Sequence, residues 1–129
     1  MEKRILVVDD DRDMQALLQD LLESEAYEVD TADDGLIALE KLVHRRERYD
    51  VILLDVTMPR MNGLQLIQVL QQQEEACLRN IIVVSGNQDA VQEAIWLGIR
   101  SWLAKPFDLE TLLELVSRCS VCTSEDSRV

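Results

Sequence analysis

The sequence predicts an α/β protein: a doubly wound parallel sheet with helices on both faces. Three observations predict it. Strand-forming runs alternate with helical periods, β then α, five times along the chain. The three strongest runs, RILVVD (4–9), YDVILLD (49–55) and NIIVVS (80–85), are continuously apolar, as strands covered on both faces are. Each of these runs also ends on a polar side chain: Asp9, Asp55 and Ser85.

The elements follow in order. After RILVVD, residues Met14, Leu17, Leu18, Leu21 and Leu22 recur at the i, i+3, i+4, i+7, i+8 spacing of one helix face. YEVDTA (27–32) alternates apolar and polar, which marks an edge strand. DGLIALEKLVHR (34–45) reads as the second helix. The third helix opens at Asn62–Gly63 and places Leu64, Ile67 and Leu70 on one face. The fourth carries Val91, Ala94 and Ile95 and stops at Gly98, a C-terminal cap. SWLAK (101–105) is a fifth, weaker strand. Asp108 then stands as N-cap to a helix bearing Leu109, Leu112, Leu113 and Val116. The polar stretch TSEDSRV (123–129) is expected to fray.

Composition narrows the function classes. A chain of 129 residues suits one domain and buries about two thirds of its unfolded surface. With 47% hydrophobic and 29% charged residues it reads as globular. The first apolar run stops at three acids, with no cleavage-site pattern of a secretory leader, so a cytoplasmic setting is expected. Thirteen basic against 25 acidic residues give a net charge of −12, which disfavours direct contact with nucleic acid or an anionic membrane. Cys77, Cys119 and Cys122 are odd in number, and CSVC follows no βαβ start. His44 is the single histidine, so histidine-dependent nucleophile arrangements are excluded. It reads as a solvated residue, and HRRER (44–48) as a solvated helix end.

Chemistry enters at the strand ends. In an open parallel sheet, sites form beyond the carboxyl ends of the strands. That edge gathers Asp9, Asp10 and Asp11 with Asp55, Ser85 and Lys105. A lone buried carboxylate is costly, so these acids call for a shared cation. Carboxylate oxygens with a backbone carbonyl and waters suit Mg²⁺. A carboxylate is also a competent nucleophile in aspartyl-phosphate chemistry. Asp11 is also well placed as an N-cap for the helix that follows.

ILVVDDD, ADDGLIAL, DVILLDVTMPRMNGLQLI, IIVVSG and LAKPF stand in the order and spacing of one family. Over residues 3–118 the chain strongly resembles the receiver domains of two-component response regulators. The resemblance implies a flavodoxin-like fold with strand order 2-1-3-4-5 and five helices, occupying residues 1–120 with a polar tail at 121–129. It implies Asp55 as phosphoacceptor, with Mg²⁺ (Mn²⁺ as a substitute) held by Asp9, Asp10, Asp55 and the carbonyl of Thr57. Lys105 matches the phosphoryl-binding lysine, Ser85 the switch hydroxyl and Trp102 the switch aromatic. Thr57 and Asn87 match positions that tune phosphoryl lifetime, and Lys105–Pro106 matches a cis bond. Gly86 departs from the family's common alanine, and Ile99 from a small residue.

The implied function is to accept a phosphoryl group from a sensor histidine kinase or phosphotransfer protein. The receiver then switches conformation towards a partner, without being a turnover enzyme. A homodimer surface on the fourth helix and fifth strand goes with it. Helical spacing turns Trp96 towards the edge or the solvent, where it is either an interface anchor or an ordinary exposed residue. Two other readings compete. One is a haloacid-dehalogenase-like phosphatase, disfavoured because Asp13 stands where that family wants Thr or Val. The other is a degenerate receiver acting as a binding module, disfavoured because every named site residue is present.

Overall fold

The computed structural model describes residues 3–45, 47–56, 62–72 and 79–126, with 120–126 described by backbone alone. The chain alternates β1 (Arg4–Val8), α1 (Arg12–Ser24), β2 (Glu28–Ala32), α2 (Gly35–Leu39), β3 (Val51–Asp55), α3 (Gly63–Gln72), β4 (Ile81–Ser85), α4 (Gln88–Trp96), β5 (Ser101–Ala104) and α5 (Leu109–Asp126). All strand pairs are parallel, in the order β2-β1-β3-β4-β5. YEVDTA is thus an edge strand, as its alternation predicts.

Side chains alternate across each strand, so the sheet builds two cores. Leu6, Val8, Ile52, Leu54, Ile81 and Val83 face one side, where they meet Ala38, Leu66, Ile67, Leu70 and Ala94 of α2, α3 and α4. Ile5, Val7, Val51, Leu53 and Ile82 face the other and meet Leu18, Leu22, Leu112 and Val116 of α1 and α5. β3 and β4 are buried along their whole lengths, which explains their unbroken apolar runs.

Helix faces depart from the expected periods in three places. Leu17 is 50% exposed, and Gln15 takes an inward position beside Leu18 and Leu22. The buried stripe on α1 therefore runs 15–18–22, and Leu17 lies about 100° round the helix from its neighbour Leu18. Beyond Leu39 the second helix widens into a π-turn segment, Glu40–His44, with Arg45 N–H donating to the Glu40 carbonyl at 2.9 Å. From this segment Lys41 reaches Asp30 Oδ2 at 2.9 Å, and Tyr49 Oη donates to the same oxygen at 2.6 Å. Burial pushes Asp30 up, but the Tyr49 and Lys41 hydrogen bonds outweigh it and hold the carboxyl below its ordinary 3.8. Third, α5 continues to Asp126, past residue 121 where the polar tail is expected to begin. Propagating an existing helix gains one hydrogen bond per residue fixed, so polar composition alone does not end it.

The helix ends follow the sequence closely. Asp11, Asp34 and Asn87 cap α1, α2 and α4 with their side chains. Asp108 Oδ1 accepts from Thr111 N–H at 2.7 Å, where α5 begins. Gly98 lies at φ +106 just past α4, a conformation that favours glycine. His44 is exposed.

Gly63 does more than open α3. Its N–H donates to the Val56 carbonyl at 3.1 Å. A Cβ there would lie 2.7 Å from Val56 Cα and 2.8 Å from the Asp55 carbonyl oxygen. The start of α3 thus rests on the backbone that carries Asp55. Glycine-to-alanine in a helix ordinarily gains roughly 0.5–1 kcal/mol. Gly63→Ala should instead lose about 1–3 kcal/mol, because the clashing atoms are backbone and cannot rotate away. Urea unfolding would check this; equal or higher stability in the variant would refute the close-approach account.

Candidate functional site

Parallel register builds the site. Val8 pairs with Leu54, so the next residues, Asp9 and Asp55, emerge side by side. Asp55 pairs with Val84, which puts Ser85 one step further along the neighbouring strand. Ser85 in turn pairs with Ala104, and Lys105 N–H donates to the Ser85 carbonyl at 3.0 Å. Four chain segments far apart in sequence therefore end in one cleft of about 500 Å³, lined by Asp9, Asp10, Asp55, Ser85, Asn87 and Lys105 among others.

Within it, carboxylate oxygens of Asp9, Asp10 and Asp55 lie within 4.8 Å of one another. Asp9 and Asp55 are buried, and Asp10 is exposed. Lys105 Nζ stands 3.4 Å from Asp55 Oδ2. Asp9 Oδ1 accepts the Asp11 N–H at 2.9 Å, and Asp11 Oδ1 accepts from Asp13 and Met14 at 3.0 and 3.2 Å. Asp11 is thus occupied as the cap of α1, in keeping with Asp9 and Asp10 as the acidic pair.

Ser85 is buried, and its Oγ accepts from the Asn87 N–H at 2.9 Å. Asn87 Oδ1 accepts from Asp89 and Ala90 at the start of α4. Trp102 is 46% exposed and Trp96 86% exposed. The Lys105–Pro106 bond is cis, as expected. A Cβ on Gly86 would meet Lys105 Cβ at 3.8 Å, ordinary contact, so an alanine would fit there. Ile99 is buried against Ala94 and other residues of that core. Thr57, expected to offer its carbonyl to the metal, lies outside the described residues.

Two contributors were not legible in the residue pattern. Gln15 is buried beneath the acidic pair, and Gly63 supports Asp55 from below. A polar residue at the 15–18–22 spacing was the available signal for Gln15. A glycine beginning a helix carries no mark of what lies against it.

The acidic trio fits a small divalent cation. Its oxygens, all within 4.8 Å of one another, can share one such ion directly or with one arm bound through water. The electrostatics also favour a cation. Burial raises Asp9 from 3.8 to about 6, opposed by the Asp11 hydrogen bond and the Lys105 charge and reinforced by Asp55 and Asp10.

A carboxyl with a folded-state pKa above its unfolded value holds more protons when folded. Its contribution favours folding at low pH and is lost as pH rises from 3.8 through about 6. Asp9→Asn keeps the acceptor for Asp11 and carries no charge. In metal-free buffer the Tm of Asp9→Asn should therefore gain on wild type between about pH 4 and about pH 7. A gap that stays flat would contradict an unfavourable buried charge at Asp9.

Comparison with known proteins agrees with this architecture. The sequence matches the family described as response regulator receiver domain over residues 5–117. It is 33% identical to the chemotaxis protein CheY of Treponema pallidum over 115 residues, covering 88% of this chain and 80% of that one. It is 32% identical to sporulation initiation phosphotransferase F of Bacillus subtilis over 118 residues, covering 92% and 94%. Among solved structures, the receiver domain of a sensor histidine kinase from Pseudomonas aeruginosa, with a magnesium ion coordinated in its active site cleft, superposes with a TM-score of 0.81 at 29% identity, covering 93% of this chain and 98% of that one. With the sheet order, the register and the strand-end cleft all in place, the chain belongs to the family of response regulator receiver domains.

Proposed function

We propose that this receiver accepts a phosphoryl group on Asp55 from a histidine kinase or phosphotransfer protein and relays it as a change of surface. The observation that carries the reading is the placement of Asp55 between an acidic pair and Lys105 Nζ at 3.4 Å, in an open cleft. Asp9, Asp10 and Asp55 would hold Mg²⁺, with the Thr57 carbonyl as a further donor. The bound ion supplies positive charge to the phosphoryl oxygens in the transition state.

The chain's own residues do the rest. An Asp55 carboxylate oxygen attacks phosphorus in line with the donor's P–N bond. The O–P bond forms as the P–N bond breaks, and the electron pair leaves with the donor imidazole, which takes up a proton. Lys105 Nζ pairs with a phosphoryl oxygen as its contact to Asp55 loosens. The Ser85 hydroxyl turns from Asn87 to donate to another. Asn87 and Thr57, the positions that match the family's, tune the lifetime of the acyl phosphate. The protein thus catalyses its own phosphorylation and slow dephosphorylation, as a signalling module and not as a turnover enzyme.

Output follows from packing. Moving Ser85 towards the phosphoryl group opens space beside β5, and Trp102 turns in to fill it, because protein interiors tolerate few voids. The α4–β5 face, where Trp96 and Trp102 are exposed, is then the surface offered to a partner or a second copy.

Asp55→Asn should abolish labelling by acetyl phosphate in Mg²⁺, since an amide keeps the shape and is no nucleophile. Labelling at the wild-type rate would remove Asp55 as acceptor. In Trp96→Phe, where Trp102 is the remaining indole, Mg²⁺ with beryllofluoride should reduce acrylamide quenching. Ser85→Ala should blunt that response while the mimic still binds. An unchanged spectrum with the mimic bound would mean that the signal leaves by another route.

A further inference from the structure

Gln15 is a buried polar residue that the mechanism above does not use. It is 8% exposed, on the inward face of α1. Its Nε2 donates to the Asp9 carbonyl, to Asp33 Oδ1 at 2.9 Å and, more weakly, to the Ala32 carbonyl at 3.5 Å. All three partners are acceptors, so the amide's orientation is determined by its surroundings.

The Asp9 carbonyl belongs to the peptide that joins Asp9 to Asp10. Rotation of that plane changes where both carboxylates point. The chain from Asp9 runs through the Asp11 cap into α1, and Gln15 returns from the first turns of the same helix to that peptide. The loop is closed by hydrogen bonds at both ends. Across it, Asp9 N–H donates to the Ala32 carbonyl at 3.1 Å, and Arg12 Nη2 meets Asp33 Oδ2 at 3.3 Å. The ends of β1 and β2 are thus tied together under the acidic pair, with Gln15 at the centre of the tie.

We infer that Gln15 is a positioning residue: it orients the Asp9–Asp10 peptide and thereby sets the affinity of the acidic trio for a divalent cation, without touching the cation itself. The part concerning metal rests on the proposed Mg²⁺ site, whereas the hold on the Asp9–Asp11 turn does not. Groups that orient metal ligands from behind commonly change metal affinity by about 10–100-fold when removed.

The experiment compares Gln15→Met, which keeps length and loses the donors, with wild type and with Leu22→Ala. Leu22 is fully buried further along the same helix, so its variant controls for lost stability. In metal-free protein, hydrogen exchange at the Asp11 amide should speed up about 10-fold in Gln15→Met relative to the β1 amides, and not in Leu22→Ala. With Mg²⁺ alone as titrant, Kd should rise about 10-fold in Gln15→Met and stay within about two-fold in Leu22→Ala. In acetyl phosphate labelling, the Mg²⁺ needed for half-maximal rate should rise while the rate at saturating Mg²⁺ stays within about two-fold.

Unchanged Asp11 exchange in Gln15→Met overturns the inference, and so does an equal rise in Kd for the Leu22 control. If wild type itself takes up no Mg²⁺, the proposed metal site fails, and Asp11 exchange alone decides whether Gln15 holds the turn.

Discussion

Two carboxylates on neighbouring strands of a parallel sheet are the constraint on which the rest of the site depends. The Val8–Leu54 register makes Asp9 and Asp55 neighbours, and Asp10 stands close by. Two ionised carboxylates at such a separation repel by roughly 3–4 kcal/mol at an effective dielectric near 20. The surrounding structure consists largely of groups that answer this repulsion. Lys105 approaches from the end of β5, the Asp11 N–H supports Asp9, and the cleft leaves Asp10 open to solvent.

The β-α architecture supplies a second compensation. After each parallel strand the chain turns into a helix whose N-terminus lies near the strand's carboxyl end. The caps Asp11 and Asn87 therefore sit among or beside the site residues. The positive poles of α1 and α4 are directed to the same edge as the carboxylates. The local rule that puts Asp or Asn before a helix and the tertiary rule that puts sites at strand ends act on one short stretch of chain, as in Asp9–Asp10–Asp11. Gly63 gives the same economy at β3, where α3 can begin directly on the Asp55 backbone because no Cβ intervenes.

The groups that would transmit a signal differ in kind from those that hold the fold. Ser85 is buried, and among the described residues its hydroxyl is engaged with the Asn87 backbone, at 2.9 Å from the N–H and 3.4 Å from the carbonyl. Trp102 lies on the outer strand and is half exposed, whereas β4 beside it and β3 beyond are buried along their lengths. A side chain at the margin of a packed sheet can change rotamer without opening the core. That makes the β4–β5 edge, and not the β1–β3 centre, the place where a local change of charge can become a change of surface.

The sequence by itself determined the order of elements, the central and edge strands, the caps Asp11, Gly98 and Asp108, and the identities of the strand-end residues. Each of these follows from local chemistry: continuous apolar runs, periods of two or 3.6 residues, and Asp or Asn before a helix. The motif spacing also carried the family, because Asp9, Asp55, Ser85 and Lys105 must fall at fixed distances along a chain that alternates strand and helix. Other features had no local signature. Leu17 points outward and Gln15 inward because the packed stripe of α1 is set by where the sheet meets the helix, which a run of leucines does not show. The π-turn after Leu39 accompanies a contact between Lys41 and Asp30, eleven residues apart in sequence. Gly63 matters because Val56 and the Asp55 carbonyl lie 2.7–2.8 Å from where its side chain would begin. Only the tertiary structure decided these, because each depends on the distance between segments that the sequence separates and the fold brings together.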